Sequence, residues 1–167
     1  MVPPSEANPS KQARLHLLAQ ALRQAESAEA IHQQVGSALK SLLAPDQALL
    51  KVAMDSLVQA VEFDENGAPQ SFHPESELNA FAEQALASGK ALVQLSGAKI
   101  CLIAVPFPPA RPVGVLSVRW REEAEESELT PHLATLQQIG ELATTAFVNI
   151  SLRQSINALS SATPRKG

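Results

Sequence analysis

Two consecutive strands that are apolar on both faces, followed by one long helix, constrain this chain more than any other feature. Ile100-Cys101-Leu102-Ile103-Ala104-Val105 runs into Pro106 and a proline-rich connection, and Val113-Gly114-Val115-Leu116-Ser117-Val118-Arg119-Trp120 follows. In the first strand, simple alternation puts Cys101, Ile103 and Val105 on one side and Leu102 and Ala104 on the other. A strand with two dry faces needs a layer on each, so helices are expected over one face and a second element over the other. Glu122 to Glu128 reads as a solvated loop. A helix is then predicted from Leu129 to Ala158, with Thr130 as its cap and Pro131 at its first position. This order fits an α+β sensor-type domain rather than an enzyme core.

Upstream, Leu15, Leu18, Leu22 and Ala25 mark a helix from Lys11 with one apolar stripe. Ser27 can cap a second helix with Ile31, Val35, Ala38, Leu39 and Leu42 on its core face, and Pro45-Asp46 ends it. Gln47–Met54 and Leu57–Phe63 are strand candidates, joined by sequence to a turn at Asp64-Glu65-Asn66-Gly67, after which Gln70-Ser71-Phe72 is free to pair back or not. Pro74 opens a short helix to Ser88, stopped by Gly89, and Ala91–Leu95 is a short strand. Residues 1–10 read as a disordered lead-in and 161–167 as a disordered tail, leaving 11–160 as one domain. With 167 residues, 45% of them hydrophobic, one core is well supplied.

Charge and composition remove several function classes. A formal charge of −4, no Tyr and a single Trp leave neither an electrostatic footprint for nucleic acid or anionic lipid nor stacking platforms for bases. The longest apolar run, Ile100 to Val105, is far too short to span a bilayer, and the N-terminus lacks a signal-peptide pattern. The lone Cys101 can build neither a disulfide nor a zinc site, so a reduced, cytoplasmic setting is expected.

The terminal helix has two apolar sides. Leu136, Ile139, Gly140, Ala143, Ala146, Phe147 and Ile150 form a core-facing stripe. Leu142, Thr145, Asn149, Leu152, Ile156 and Leu159 are spaced 3-4-3-4-3, a heptad seam roughly 150° around the helix from the first stripe. Exposing Leu152, Ile156 and Leu159 would forgo roughly 1.5–3 kcal/mol each. A homodimer through this seam is therefore expected, with Leu15, Leu18 and Leu22 joining a four-helix bundle and Asn149 fixing register. The alternative is that the first helix of the same chain covers the seam.

Catalytic chemistry is thin. His16, His32, His73 and His132 lack the spacing of a metal site, and no phosphate loop, nucleophile elbow or Cys/His pair is present. Arg111 lies in the proline-rich connection, and the consecutive carboxylates of 122–128 lack the turn glycine of a calcium loop. No catalytic residue, metal or cofactor is assigned.

The segments Ile103-Ala104-Val105-Pro106-Phe107, Val113-Gly114-Val115-Leu116-Ser117-Val118, Glu128-Leu129-Thr130-Pro131-His132-Leu133 and Leu136-Gln137-Gln138-Ile139-Gly140-Glu141-Leu142-Ala143 resemble, in order and spacing, signatures of the GAF domain, a small-molecule sensor fold widespread in bacterial signalling. Phe81-Ala82-Glu83-Gln84-Ala85-Leu86-Ala87-Ser88-Gly89-Lys90 is similar to that family's short helix ending in Ser/Thr-Gly. The resemblance covers residues 11–158. It implies an antiparallel sheet with the N- and C-terminal helices on one face, and a short helix and a ligand pocket on the other. Phe63, Phe72, Phe81 and Leu95 would line that pocket and His73 would stand at its mouth, although each also fits an ordinary core role. The cyclic-nucleotide, bilin and methionine sulfoxide reductase branches are disfavoured. Phe63-Asp64-Glu65 is contiguous with no Asn-Lys before it, Cys101 is mid-strand, and one cysteine cannot supply both attacking and resolving thiols. The connection from Asn66 to Pro74 is short and the helix after it is rich in alanine, so a filled core and a cavity both stay open. The expectation is a non-catalytic regulatory module that binds a small molecule or partner protein and signals through a dimeric bundle to an effector protein or a separate effector domain. A dimerisation scaffold with a filled pocket is the alternative.

Overall fold

A computed structural model describes residues 7–54, 57–97, 99–107, 111–125 and 129–162. The elements are α1 (Ala7–Gln24), α2 (Ala28–Leu42), β1 (Gln47–Met54), β2 (Leu57–Phe63), β3 (Pro69–Gln70), α3 (Glu77–Ser88), β4 (Leu92–Ser96), β5 (Lys99–Phe107), β6 (Gly114–Glu125) and α4 (Leu129–Ala162). The strands form one antiparallel sheet in the order β3-β2-β1-β6-β5-β4. As expected, α1, α2 and α4 pack on one face and α3 on the other.

The side of each strand follows from its alternation. Leu50, Leu116 and Val105 lie in register across β1, β6 and β5, and all three face the three-helix layer. Their neighbours Leu49, Val115 and Ala104 face α3. The main core lies between the sheet and the stripe Leu136, Ile139, Ala143, Phe147 of α4, with Ile31, Val35 and Leu39 of α2 beside it. Trp120 ends this core: its buried ring stacks on His132 with centroids 5.2 Å apart, and its Nε1 donates to Leu43 O at 2.9 Å.

Local signals account for most boundaries. Ser27 Oγ accepts from Ala30 N at 3.2 Å, capping α2. Asp64 Oδ1 accepts from the N–H groups of Asn66 and Ala68, closing the turn at Gly67, whose φ is 76°. Beyond the turn only Pro69–Gln70 pairs back on β2. Gly89 ends α3 in the left-handed region.

Several boundaries differ from the expectation. α1 takes in residues 7–10, assigned to the lead-in, and α4 continues to Ala162; residues 1–6 and 163–167 of the expected lead-in and tail lie outside the described residues. α3 starts at Glu77 rather than Pro74, because Ser76 Oγ accepts from Asn79 N and supplies the cap. α4 is already helical at Leu129, so Thr130 lies in its first turn. The acidic stretch is strand as far as Glu125, paired to the start of β5 through Ile100↔Ala124 and Lys99↔Glu125; residues 126–128 lie outside the described residues. Cys101 does not share a side with Ile103 and Val105. The register with β4 and β6 shifts at this residue, so Ile100 and Ile103 both face the three-helix layer while Cys101 packs on the α3 side.

Candidate ligand face and helical interface

On the α3 side, the central strands present Leu49 and Lys51 from β1 and Val115, Ser117 and Arg119 from β6. The small residues of α3 bring it against this surface. Ala82 and Ala85 are fully buried with Leu78 against Leu49, Leu102, Ala104 and Val115. Among the described residues, these side chains pack directly between α3 and the sheet.

Polar ties then fix α3 in place. Lys51 Nζ donates to Asn79 Oδ1 at 2.9 Å and to the Glu83 carboxylate, and stands 5.3 Å from the centroid of the Phe72 ring. Arg119 pairs with Glu77. Ser117 Oγ, fully buried, donates to Leu78 O at 3.3 Å. Asn79 is 8% exposed and also donates through Nδ2 to Pro74 O at 2.8 Å. Lys51→Met keeps the apolar stem but removes the donor to a buried amide, so it is expected to destabilise the fold by about 1–3 kcal/mol in urea unfolding. Adding Asn79→Leu should recover part of that loss, since both ends of the interaction then become apolar.

The residues predicted to line a pocket are not gathered on one face. Phe63 is buried on the opposite face, in the three-helix core, because Val61 of the same strand pairs with Leu50 and the alternation carries Phe63 with it. Phe72 and Phe81 are half-buried on the α3 side. His73 is exposed; its backbone N–H donates to Glu62, whose carboxylate lies 3.3 Å from Nδ1. Leu95 is exposed on the edge strand β4. Sequence reasoning missed Lys51, Asn79, Glu83, Ser117, Arg119 and Glu77. A lysine inside an apolar strand and an asparagine inside the α3 stripe were the available signals.

The seam on α4 divides in two. α1 runs alongside α4 and covers its first part: Ala19, Leu22 and Arg23 border Leu142, Ala146 and Asn149, and Arg153 Nη2 donates to Arg23 O at 3.4 Å. Leu18 and Leu22, predicted for the dimer bundle, are each 4% exposed within the core of their own chain, and Leu15 and Leu142 are half-buried. A cleft of about 510 Å³ separates the helices at Gln12, Leu15, His16, Gln138, Glu141, Leu142 and Thr145. Beyond Ile150 the helix continues for about 18 Å. There Leu152, Ile156 and Leu159 are 56%, 60% and 70% exposed.

One titratable group joins two helices of the helical layer to the sheet. His32 of α2 meets Phe147 of α4 edge-on at 5.7 Å and its Nε2 lies 3.2 Å from Gln59 Oε1 of β2. Burial pushes its pKa below the ordinary value, against the opposing pulls of the Gln59 hydrogen bond and the Glu29 charge. The folded form therefore binds its proton less readily than the unfolded chain. Stability should be full above the unfolded value of about 6.5 and fall as the pH drops from there through the lower folded value. Urea midpoints between neutral and mildly acid pH should decline for the parent, and His32→Gln should flatten that decline.

Among the described residues no group of three or more His, Cys, Asp or Glu is placed to hold a metal, and no helix is long and apolar enough to cross a membrane. No family model matches the sequence, and no curated protein matches it. Solved structures do. The nlh2 GAF domain of A. aeolicus is similar with a TM-score of 0.57 at 15% identity, over 87% of this chain and 98% of that one. The GAF domain of the Escherichia coli potassium sensor histidine kinase KdpD is similar with a TM-score of 0.55 at 14% identity, over 86% and 96%. Free methionine-R-sulfoxide reductase from Neisseria meningitidis, solved with its substrate, is similar with a TM-score of 0.50 at 17% identity, over 87% and 91%. The likeness spans most of the chain, and with a six-stranded antiparallel sheet between a three-helix layer and a single short helix, the protein has the GAF fold.

Proposed function

We propose that this protein is a non-catalytic regulatory module that assembles as a homodimer through the C-terminal end of α4 and passes a packing change along that helix to an effector, either a partner protein or a further domain joined to it. The observation that carries this reading is the exposed stripe of Leu152 and Ile156 on a helix whose other side is locked into the core. A rigid rod anchored on the sheet transmits a small rotation of the domain to its far end, and two packings of a helical pair can differ by little enough for an input to bias them. The sensor and signalling proteins named among the structural neighbours support a role of this class.

The input is less direct than a preformed cavity would make it. Because Ala82, Ala85 and Leu78 seal the sheet beneath α3, a small molecule would enter there only by displacing α3 against its ties to Lys51 and Arg119. That packing favours the second reading, a scaffold whose sheet face is filled and whose task is assembly. Sedimentation tests the shared part: a dimer is expected at tens of micromolar, and a monomer there would end both readings. Thermal-shift screening against nucleotides, amino acids and acyl compounds separates them. A shift of several degrees with one class supports the sensor, and no shift in any class supports the scaffold.

A further inference from the structure

We infer that the cleft between α1 and α4 is a binding site for an amphipathic amine, a small cation with an apolar body, whose ammonium pairs with Glu141. The inference rests on the regulatory reading above and gives it an input, placed in the helical layer rather than beneath α3. At about 510 Å³ the cleft falls within the range of small-molecule sites, and it stands open without displacement of any element. A smaller cavity of about 160 Å³ continues from it past Leu142 and Thr145, which border both.

The two ends of this groove differ in kind. Ala19, Leu22 and Ala146 line the narrow end, where the two alanines let the helices close. Gln12, His16 and Gln138 stand at the wide end, beside the half-buried Leu15 and Leu142. Among the described residues lining the wide end, Glu141 is the one carboxylate, and there is no Lys or Arg. Its Oε1 accepts from Gln137 Nε2 at 3.3 Å, one turn back on α4. Thr145 Oγ1 donates to Glu141 O at 3.0 Å, so the hydroxyl proton is committed while the oxygen still accepts. An ammonium has three donors and no acceptor, and the wide end offers it a carboxylate, that hydroxyl oxygen and two side-chain amide oxygens. A carboxylate guest would instead set like charge against Glu141. Arg23 borders the narrow end, so its charge directs a cationic head to the wide end and leaves its aliphatic stem beside the apolar body.

A guest in this position bridges two helices. It takes the remaining exposed surface of Leu15 and Leu142 out of water, and it binds best where α1 lies against α4. The same turns of α4 carry Ile139 and Ala143 on their other side, buried against the sheet. Binding that holds α1 in place is therefore felt by the helix that runs on to Ala162.

Amide NMR of the full chain titrated with phenethylamine tests the site, with phenylpropionate and phenethyl alcohol as probes of similar shape that carry a negative charge and none. Phenethylamine should move the signals of residues 12–16 and 138–145 saturably, and phenylpropionate should leave them in place. Glu141→Gln, at an exposed position, should weaken phenethylamine about tenfold. Thr145→Arg, also exposed, puts an internal cation one turn from Glu141 and should abolish binding with the circular dichroism unchanged. Equal binding of all three probes, or undiminished binding to either variant, overturns the inference, and so does a titration without saturable shifts. Shifts confined to α3 and the strands beneath it overturn it too, while keeping a small-molecule input on the other face. The dimer reading is decided separately by sedimentation, so a failed titration and a failed assembly are distinguishable.

Discussion

Gly140→Ala is expected to destabilise the protein by about 3 kcal/mol, although alanine is the better helix former by about 1 kcal/mol. The sign is decided by Phe107. A Cβ built on Gly140 would lie 2.2 Å from Cε1 and 2.3 Å from Cδ1 of that ring, which is fully buried. The ring cannot retreat, because on its other edge a Cβ at Gly114 would lie 2.5 Å from Cε2. Phe107 thus sits in a slot between a helix glycine and a strand glycine, and the slot sets how closely α4 approaches the β5–β6 hairpin. Overpacking by one carbon at such a site forces a backbone shift. Urea unfolding of Gly140→Ala, Phe107→Leu and the double variant checks the cause. The double should be less destabilised than the sum of the singles, and a stabilised Gly140→Ala would mean that the helix stands farther off than described.

How much of this was legible in the sequence depends on whether a feature is local. The limits of β1 and β2, the Ser27 cap and the Gly89 stop follow from residues within one turn of the chain, and they match the structure. The two-sided hairpin was legible because both alternate sets are apolar. Its register was not: one extra residue at Cys101 reverses the parity, and nothing in an all-apolar run marks where that residue falls. Phe63 was misplaced for a related reason, since its side is fixed by pairing with β1 rather than by its own neighbours. The ties from Lys51 to Asn79 and Glu83 span 28 and 32 residues and become visible only once α3 lies on the sheet. On α4 the two stripes look alike in sequence; which part is covered depends on α1 ending at Gln24 while α4 runs on to Ala162.

Leu152→Glu is expected to convert the proposed dimer to monomer at tens of micromolar, weakening association about 10³-fold or more, and to leave the fold intact. Two leucines leave the seam, each contributing roughly 1.5–3 kcal/mol when fully buried. Two carboxylates would then face one another in the same layer, where like charge and lost hydration add to the loss. Together these exceed about 4 kcal/mol, which is a thousandfold in an equilibrium constant. Within one chain the same change touches little, because Leu152 is 56% exposed, so the urea midpoint of the monomer at low concentration should stay near the parent's. Leu22→Glu supplies the contrast. That side chain is 4% exposed between α1 and α4, and a carboxylate there should unfold the monomer itself. Sedimentation and circular dichroism on the two variants therefore separate the stripe that builds the domain from the stripe offered to a second copy. Loss of structure in Leu152→Glu would return that residue to the interior of its own chain and remove the interface on which assembly depends.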